Sequence, residues 1–309
     1  MNPVPLAISH ASYRALGITL AIAGVVCFSL RPILIKFAYA YVVDPITLLA
    51  LRMTFSLPFF LVAAAWAGRA GKRAPVTRRD AWAIVFLGFI GYYFASFVDF
   101  LGLQYVSAGL GRLILFLYPT LVVVLSLAFL GKRASLREVL ALVVTYSGIA
   151  LVMSRSFGAG NDNLPLGAGL CFASAAGYAI YLVAGSQVVQ RVGSVRFTAY
   201  AMVVASFFCI VQFFLLRPLS ALQMPPQVYR LAIAMALVST VLPVFITAEA
   251  LRRIGANQVA LMGALGPVTT IFFAWLGLDE VMTPVQLAGA ALVLAGVMLV
   301  TLKPANQSS

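Results

Sequence analysis

Ten runs of about 20 predominantly apolar residues follow one another along almost the whole chain, joined by short connections. A helix needs about 20 such residues to cross a hydrocarbon core about 30 Å thick, and only helices or closed barrels satisfy every backbone polar group there. The runs fall at about 14–37, 45–66, 80–99, 106–130, 136–154, 165–186, 196–216, 228–249, 256–278 and 284–302. The expected architecture is therefore an all-α integral membrane protein with ten transmembrane helices. With only 9% charged residues, against about 25% in a soluble domain, no water-soluble fold could cover this apolar surface. The first run is too long for a signal-peptide core and is expected to be retained.

The net charge of +13 invites a nucleic-acid reading, but that requires a basic face on a soluble domain. Here the basic residues cluster in alternate loops, which reads as membrane orientation, because Lys- and Arg-rich loops stay cytoplasmic. With the amino terminus inside, the inner segments hold fourteen: Arg14; Arg69, Lys72, Arg73, Arg78 and Arg79; Lys132, Arg133 and Arg137; Arg191 and Arg196; Arg252 and Arg253; and Lys303. The outer loops hold three, Arg155, Arg217 and Arg230, and Arg31, Lys36, Arg52 and Arg112 lie within the runs. Both termini are thus expected in the cytoplasm of a bacterial-type cell, with the chain in its inner membrane. Trp66, Trp82 and Trp275 fall where interfacial anchors are expected. Cys27, Cys171 and Cys209 lie inside apolar runs without paired spacing, so neither disulfides nor a zinc site is expected.

The chain repeats itself. Residues Leu103 to Met153 align without gaps against Leu251 to Thr301 at an offset of 148, bringing Pro119 onto Pro267, Leu130 onto Leu278 and Gly148 onto Gly296. Basic character changes sides between the copies: the loop with Lys132, Arg133 and Arg137 aligns with Glu280, Val281 and Val285, and Gln104 and Tyr105 with Arg252 and Arg253. Five helices are an odd number, so two such repeats, 1–154 and 155–309, are expected to insert in opposite orientations, a build that recurs in secondary transporters.

The stretches SAGLGRLILFLYPTLVVVLSLAFLGKRASLREVLALVVTYSGIALV (Ser107 to Val152), GANQVALMGALGPVTTIFFAWLGLDEVMTPVQLAGAALVLAGVMLV (Gly255 to Val300) and DPITLLALR (Asp44 to Arg52) resemble the EamA repeats of the drug/metabolite transporter superfamily. The resemblance covers nearly the full chain. It implies ten helices, cytoplasmic termini and a central substrate cavity between the halves, without implying a particular solute. The second loop reads Leu278, Asp279, Glu280 where the family has a Gly-Glu-Arg-like turn.

Charged side chains at membrane depth are costly enough that each is a candidate functional group. Arg31, Lys36, Arg52 and Arg112 map to the outer halves of their helices, with Asp99 closing the third helix on the same side. They form a cationic vestibule suited to a carboxylate or phosphate. Lys36 is read as snorkelling to the interface, and Arg52 equally as a tie between helix ends. Arg112 and Asp99 flank one hairpin and are expected to pair, either structurally or in a link that substrate opens. Glu249 lies three and four residues before Arg252 and Arg253, as an interfacial ion pair or, if it faces the cavity, as a proton carrier. Prolines inside spanning helices free backbone groups that only protein or a watery cavity can satisfy. The symmetric pair Pro119 and Pro267, with Tyr118 and Thr270 beside them, is therefore expected to line a cavity, although a packing kink explains it as well. Tyr92 and Ser96 add hydrogen-bonding groups at depth. Gly169, Ala173 and Gly177, and Gly289 and Gly296, read as close-packing seams.

An embedded enzyme would need nucleophiles, metal ligands or paired acids, and the sequence offers no such constellation. The expectation is a secondary transporter for a small, anionic or zwitterionic, amino-acid-like metabolite, exporting it by alternating access. It needs no cofactor or metal, touches membrane lipids and no nucleic acid, and acts as a monomer or homodimer. A flippase for a lipid-linked phosphate on the same fold is the alternative.

Overall fold

The computed structural model describes residues 10–69, 76–129, 135–156 and 163–301; Lys72, Arg73, Lys132, Arg133 and Lys303 lie outside the described residues. All regular structure among them is helical. Eight helices are long and apolar enough to cross a membrane: α1 (Tyr13–Tyr39), α2 (Pro45–Gly68), α3 (Arg78–Gly102), α4 (Ala108–Phe129), α5 (Leu136–Ser154), α6 (Leu164–Val192), α7 (Ser194–Leu216) and α8 (Pro226–Gly255). Two shorter apolar helices follow, α9 (Leu265–Leu278) and α10 (Pro284–Leu299). The expected ninth run, 256–278, is divided: its first turns continue from α8 beyond a non-helical Gly255 (φ 78°) and end before α9 begins.

The offset seen in the sequence recurs in the backbone. A π-helical segment interrupts α3 from Phe89 and α8 from Leu237. Regular helix begins after a non-helical residue, extended Ser107 in one copy and positive-φ Gly255 in the other, and breaks again around Phe116 and Ala264. Reciprocal caps start α5 at Ser135 with Glu138 and α10 at Thr283 with Gln286, a pattern that satisfies otherwise orphaned N–H groups. Each of these features is repeated 148 residues on. In α8 the π turn precedes Pro243, which has no N–H to continue the ladder. In α3 it brings Gly91 against Tyr181 so closely that an added Cβ would collide with the tyrosine Cβ.

The most extensive packing joins the two halves of the chain: α5 with α10, α1 with α8, α2 with α7 and α3 with α6. The α5–α10 seam depends on absent side chains, since a Cβ on Gly296 would meet the Ala141 carbonyl at 2.8 Å and one on Gly289 the Gly148 carbonyl at 2.7 Å. The expected α6 seam holds only in part. Gly177 backs onto the Ile90 carbonyl, whereas Gly169 has nothing within 4 Å because it faces outward. Trp66, Trp82 and Trp275 are all more than half exposed, as lipid-facing aromatic anchors would be.

Candidate functional site

A cavity of about 420 Å³ lies at the centre of the bundle where three helices lose regularity. In α1 the helix breaks at Leu30, with Pro32 two residues later, and Arg31 turns into the cavity. In α3 the π segment presents Tyr92, and in α4 the break after Leu115 leaves Arg112, Phe116 and Tyr118 on the wall. The carbonyls freed at such breaks must be satisfied locally. Thr270 donates its hydroxyl to the Ser29 carbonyl and Ser29 donates to the Gly266 carbonyl, each at 3.1 Å, locking the break in α1 to that before α9.

Three guanidiniums and one carboxylate gather here. Arg31 Nη2 donates to Asp99 Oδ2 at 3.0 Å, with side chains 11% and 5% exposed. Arg112 and Arg31 both lie over the Phe28 ring, at 4.6 and 4.7 Å from its centroid. Arg52, fully inside the protein, donates to Ser96 Oγ at 3.2 Å and lies 5.1 Å above the Phe100 ring. Among the described residues, Arg52 and Arg112 make no ion pair, and the Nε atoms of all three arginines are buried without a partner. Ring faces offset part of the desolvation cost, by about 0.5–2 kcal/mol each. An unmatched guanidinium N–H in a low-dielectric site remains costly, and it is the group that binds a carboxylate in bidentate fashion. The wall beside them is aromatic: Tyr118 meets Tyr178 at 5.1 Å, Tyr178 stacks on Tyr181 at 5.9 Å, and Tyr181 meets Tyr92 at 4.9 Å.

The ends of the cavity differ. One end of the bundle carries Asp44, which Arg217 contacts at 3.0 Å, and here Glu280 accepts the N–H groups of Ala108 and Gly109 at 2.9 and 3.3 Å. A carboxylate at a helix N-terminus is favoured by both the orphan donors and the dipole. Burial pushes the Asp44 carboxyl up, but hydrogen bonds from Thr47 and the Arg217 guanidinium outweigh it and hold it below the ordinary carboxylate value. The other end carries Asp80, bound to Arg191 at 2.6 Å. The lining residues Thr198 and Thr247 sit in the parts of α7 and α8 nearest that end, so the cavity reaches toward it.

Of the sequence candidates, Arg31, Tyr92, Ser96, Arg112 and Tyr118 line the cavity. Arg52 stands behind it, reaching it through Ser96. Pro119, Pro267 and Thr270 do not line it; Thr270 is fully buried and serves the backbone at the break. Asp99 pairs with Arg31 and not with Arg112 as expected, because the break in α1 turns Arg31 toward α3. Glu249 lies away from the cavity, held by Arg252 at 2.7 Å and Arg253 at 2.6 Å, with Arg253 over the Tyr13 ring. Sequence reasoning missed Phe28, Ser174, Tyr178, Thr198 and Thr247. The hydroxyl-bearing four stand out as polar groups within apolar runs, whereas Phe28 looks like any core residue.

The sequence profile of the EamA-like transporter family matches residues 15–154 and 165–302. The uncharacterized transporter YcbK of Bacillus subtilis strain 168 is 28% identical over 288 residues, 89% of this chain and 89% of its own length. A probable terminal-alkyne amino-acid exporter of Streptantibioticus cattleyicolor is 28% identical over 242 residues, 76% of this chain and 77% of its own. A solved crystal structure with 17% identity superposes with a TM-score of 0.63, covering 92% of this chain and 96% of that one, and so has the same fold.

Proposed function

Because this chain belongs to the EamA-like transporter family, as a multi-pass membrane protein and not an enzyme, we propose that it is a secondary transporter for small carboxylate-bearing solutes. Anionic or zwitterionic amino-acid-like metabolites are the class we infer, recognised by Arg31 and Arg112. The observation that carries this reading is the excess of buried guanidiniums over carboxylates, with unpartnered Nε atoms, beside a cavity of metabolite size. Asp99 would be the gating or proton-coupling acid, as the one carboxylate that, among the described residues, is bound to a cavity arginine.

The membrane arrangement we propose has ten crossings in two inverted repeats, with both termini in the cytoplasm of a bacterial inner membrane. Three observations support it: the fourteen-to-three bias of loop cations, the local features repeated at 148 residues, and the packing pattern. A twofold exchange of helices 1–5 with 6–10 maps the α1–α8 pair onto α6–α3 and returns α2–α7 and α5–α10 onto themselves. In this orientation the Asp44 end faces outward and the cavity leans toward the cytoplasm, ready to receive a solute for export; the exporter name of one relative agrees. The halves interlock too extensively to swing as blocks, so alternating access would use the half-helices around the breaks. No observation favours a flippase over this.

Counterflow in proteoliposomes tests the reading, with labelled amino acids, organic acids, nucleosides, sugars and a fluorescent polyprenyl phosphate, each with and without a pH gradient. Exchange of carboxylate-bearing solutes is expected. Exchange confined to uncharged solutes or to the lipid would refute it.

A further inference from the structure

The central cavity has a neighbour. Next to it, toward the Asp80 end, lies a second cavity of about 160 Å³ between α2, α7 and α8, walled by Phe60, Val195, Phe245, Ala248 and Leu251. Thr198, Val244 and Thr247 line both cavities, so the two share this wall. Polarity is distributed unevenly along the combined space. The guanidiniums of Arg31 and Arg112 and the Ser96 hydroxyl lie at one extreme; Val25, Leu115, Val244 and Val259 make the intermediate wall apolar; the side cavity has hydroxyls only from Thr198, Thr247 and Ser194. Its rim residues Val195, Phe245 and Leu251 are each about two-fifths exposed. A compact hydrophilic solute bound at the arginines would bury none of this apolar wall and would forgo the gain that scales with buried apolar area.

Resting on the carboxylate reading above, we propose that the paired cavities select amphipathic solutes: a carboxylate at Arg31 and Arg112, and an apolar side chain that passes Thr198 and Thr247 into the side cavity. The lining that the two cavities share at Thr198, Val244 and Thr247 and the one-sided charge argue for a single occupant with a charged head and an apolar tail. A side chain lengthened into this space gains about fourfold in affinity per buried methylene. The α-amino group has room at the tyrosine hydroxyls of Tyr118 and Tyr178, which line the same wall.

Isothermal titration of the purified full-length protein with straight-chain 2-amino acids, from alanine to 2-aminooctanoic acid, tests this. Affinity is expected to rise about fourfold per added methylene over about three steps. In Ala248→Trp, which fills the side cavity, the affinity ratio of 2-aminooctanoic acid to alanine falls at least tenfold; Val195→Phe serves the same purpose should the first variant not fold. Uniform affinity along the series, or an unchanged ratio in the folded variants, overturns the proposal and leaves the side cavity as a groove for a lipid chain. Failure of every member, alanine included, to bind would instead sink the carboxylate reading beneath it, so the two failures are distinct.

Discussion

Replacing Asp99 with Asn removes the one carboxylate that, among the described residues, pairs with the arginine cluster. The Arg31–Asp99 contact is 3.0 Å long with both side chains at most 11% exposed, so solvent screens it little. Breaking a buried pair by deleting one partner costs about 3–5 kcal/mol, because an uncompensated charge stays behind. Each kcal/mol corresponds to roughly 2–4 °C in midpoint for chains of about 150–250 residues, so the thermal midpoint of Asp99→Asn in detergent should fall by about 10 °C. The double variant Arg31→Met, Asp99→Asn removes the stranded charge and puts an apolar side chain in place of the guanidinium beside Phe28, and most of the loss should return. Thermal unfolding followed by loss of the monodisperse peak in size-exclusion chromatography reads both. A double variant no more stable than Asp99→Asn alone, or a single variant as stable as the parent, would show that the ion pair does not govern the cluster and refute the charge argument.

Arg112→Ala should insert and fold yet lose solute exchange at least tenfold in counterflow, since two hydrogen bonds to a charged partner contribute about 1.5–3 kcal/mol each; unchanged exchange rates would remove Arg112 from the site. Gly296→Leu should abolish the folded yield, because the new side chain runs into the Ala141 carbonyl, whereas Gly169→Ala, in open space, should change the thermal midpoint by less than about 2 °C. Arg217→Gln should lower stability at neutral pH. Because the Asp44 carboxyl sits below its ordinary value of 3.8 in the folded chain, the link contributes fully above that pH and fades as the pH falls below it; midpoints of parent and variant that fail to converge below pH 3.8 would count against it.

The apolar helices were legible because hydropathy over 20 residues is a bulk property that survives local error, although two of the ten expected runs form shorter helices. Pro119 and Pro267 signalled real breaks in α4 and before α9, but not the cavity wall: a proline marks where backbone is freed, while residues one to eight positions earlier line the gap. The ion-pair partners were not legible. Arg112 is nearer to Asp99 in sequence, yet the turn at Leu30 brings Arg31 across from another helix. The π segments have no reliable local signature. That in α3 depends on Gly91 meeting Tyr181, residues 90 apart in sequence, and such an approach exists only once the helices pack.

Glu280 reaches across from the second half of the chain to hold the first turn of α4, and alternating access would turn that cap into a threshold. Exposing the cavity at the Asp44 end would require Glu280 to release two N–H groups, Arg31 to leave Asp99 and Arg217 to leave Asp44. If those ties make the closed form a hundredfold more abundant than the open one, a solute must bind the open form about ten-thousandfold more tightly to invert the ratio. Thermal fluctuation alone would then seldom admit solutes from the Asp44 end, and leakage through the empty carrier would be limited by the population of a rare state.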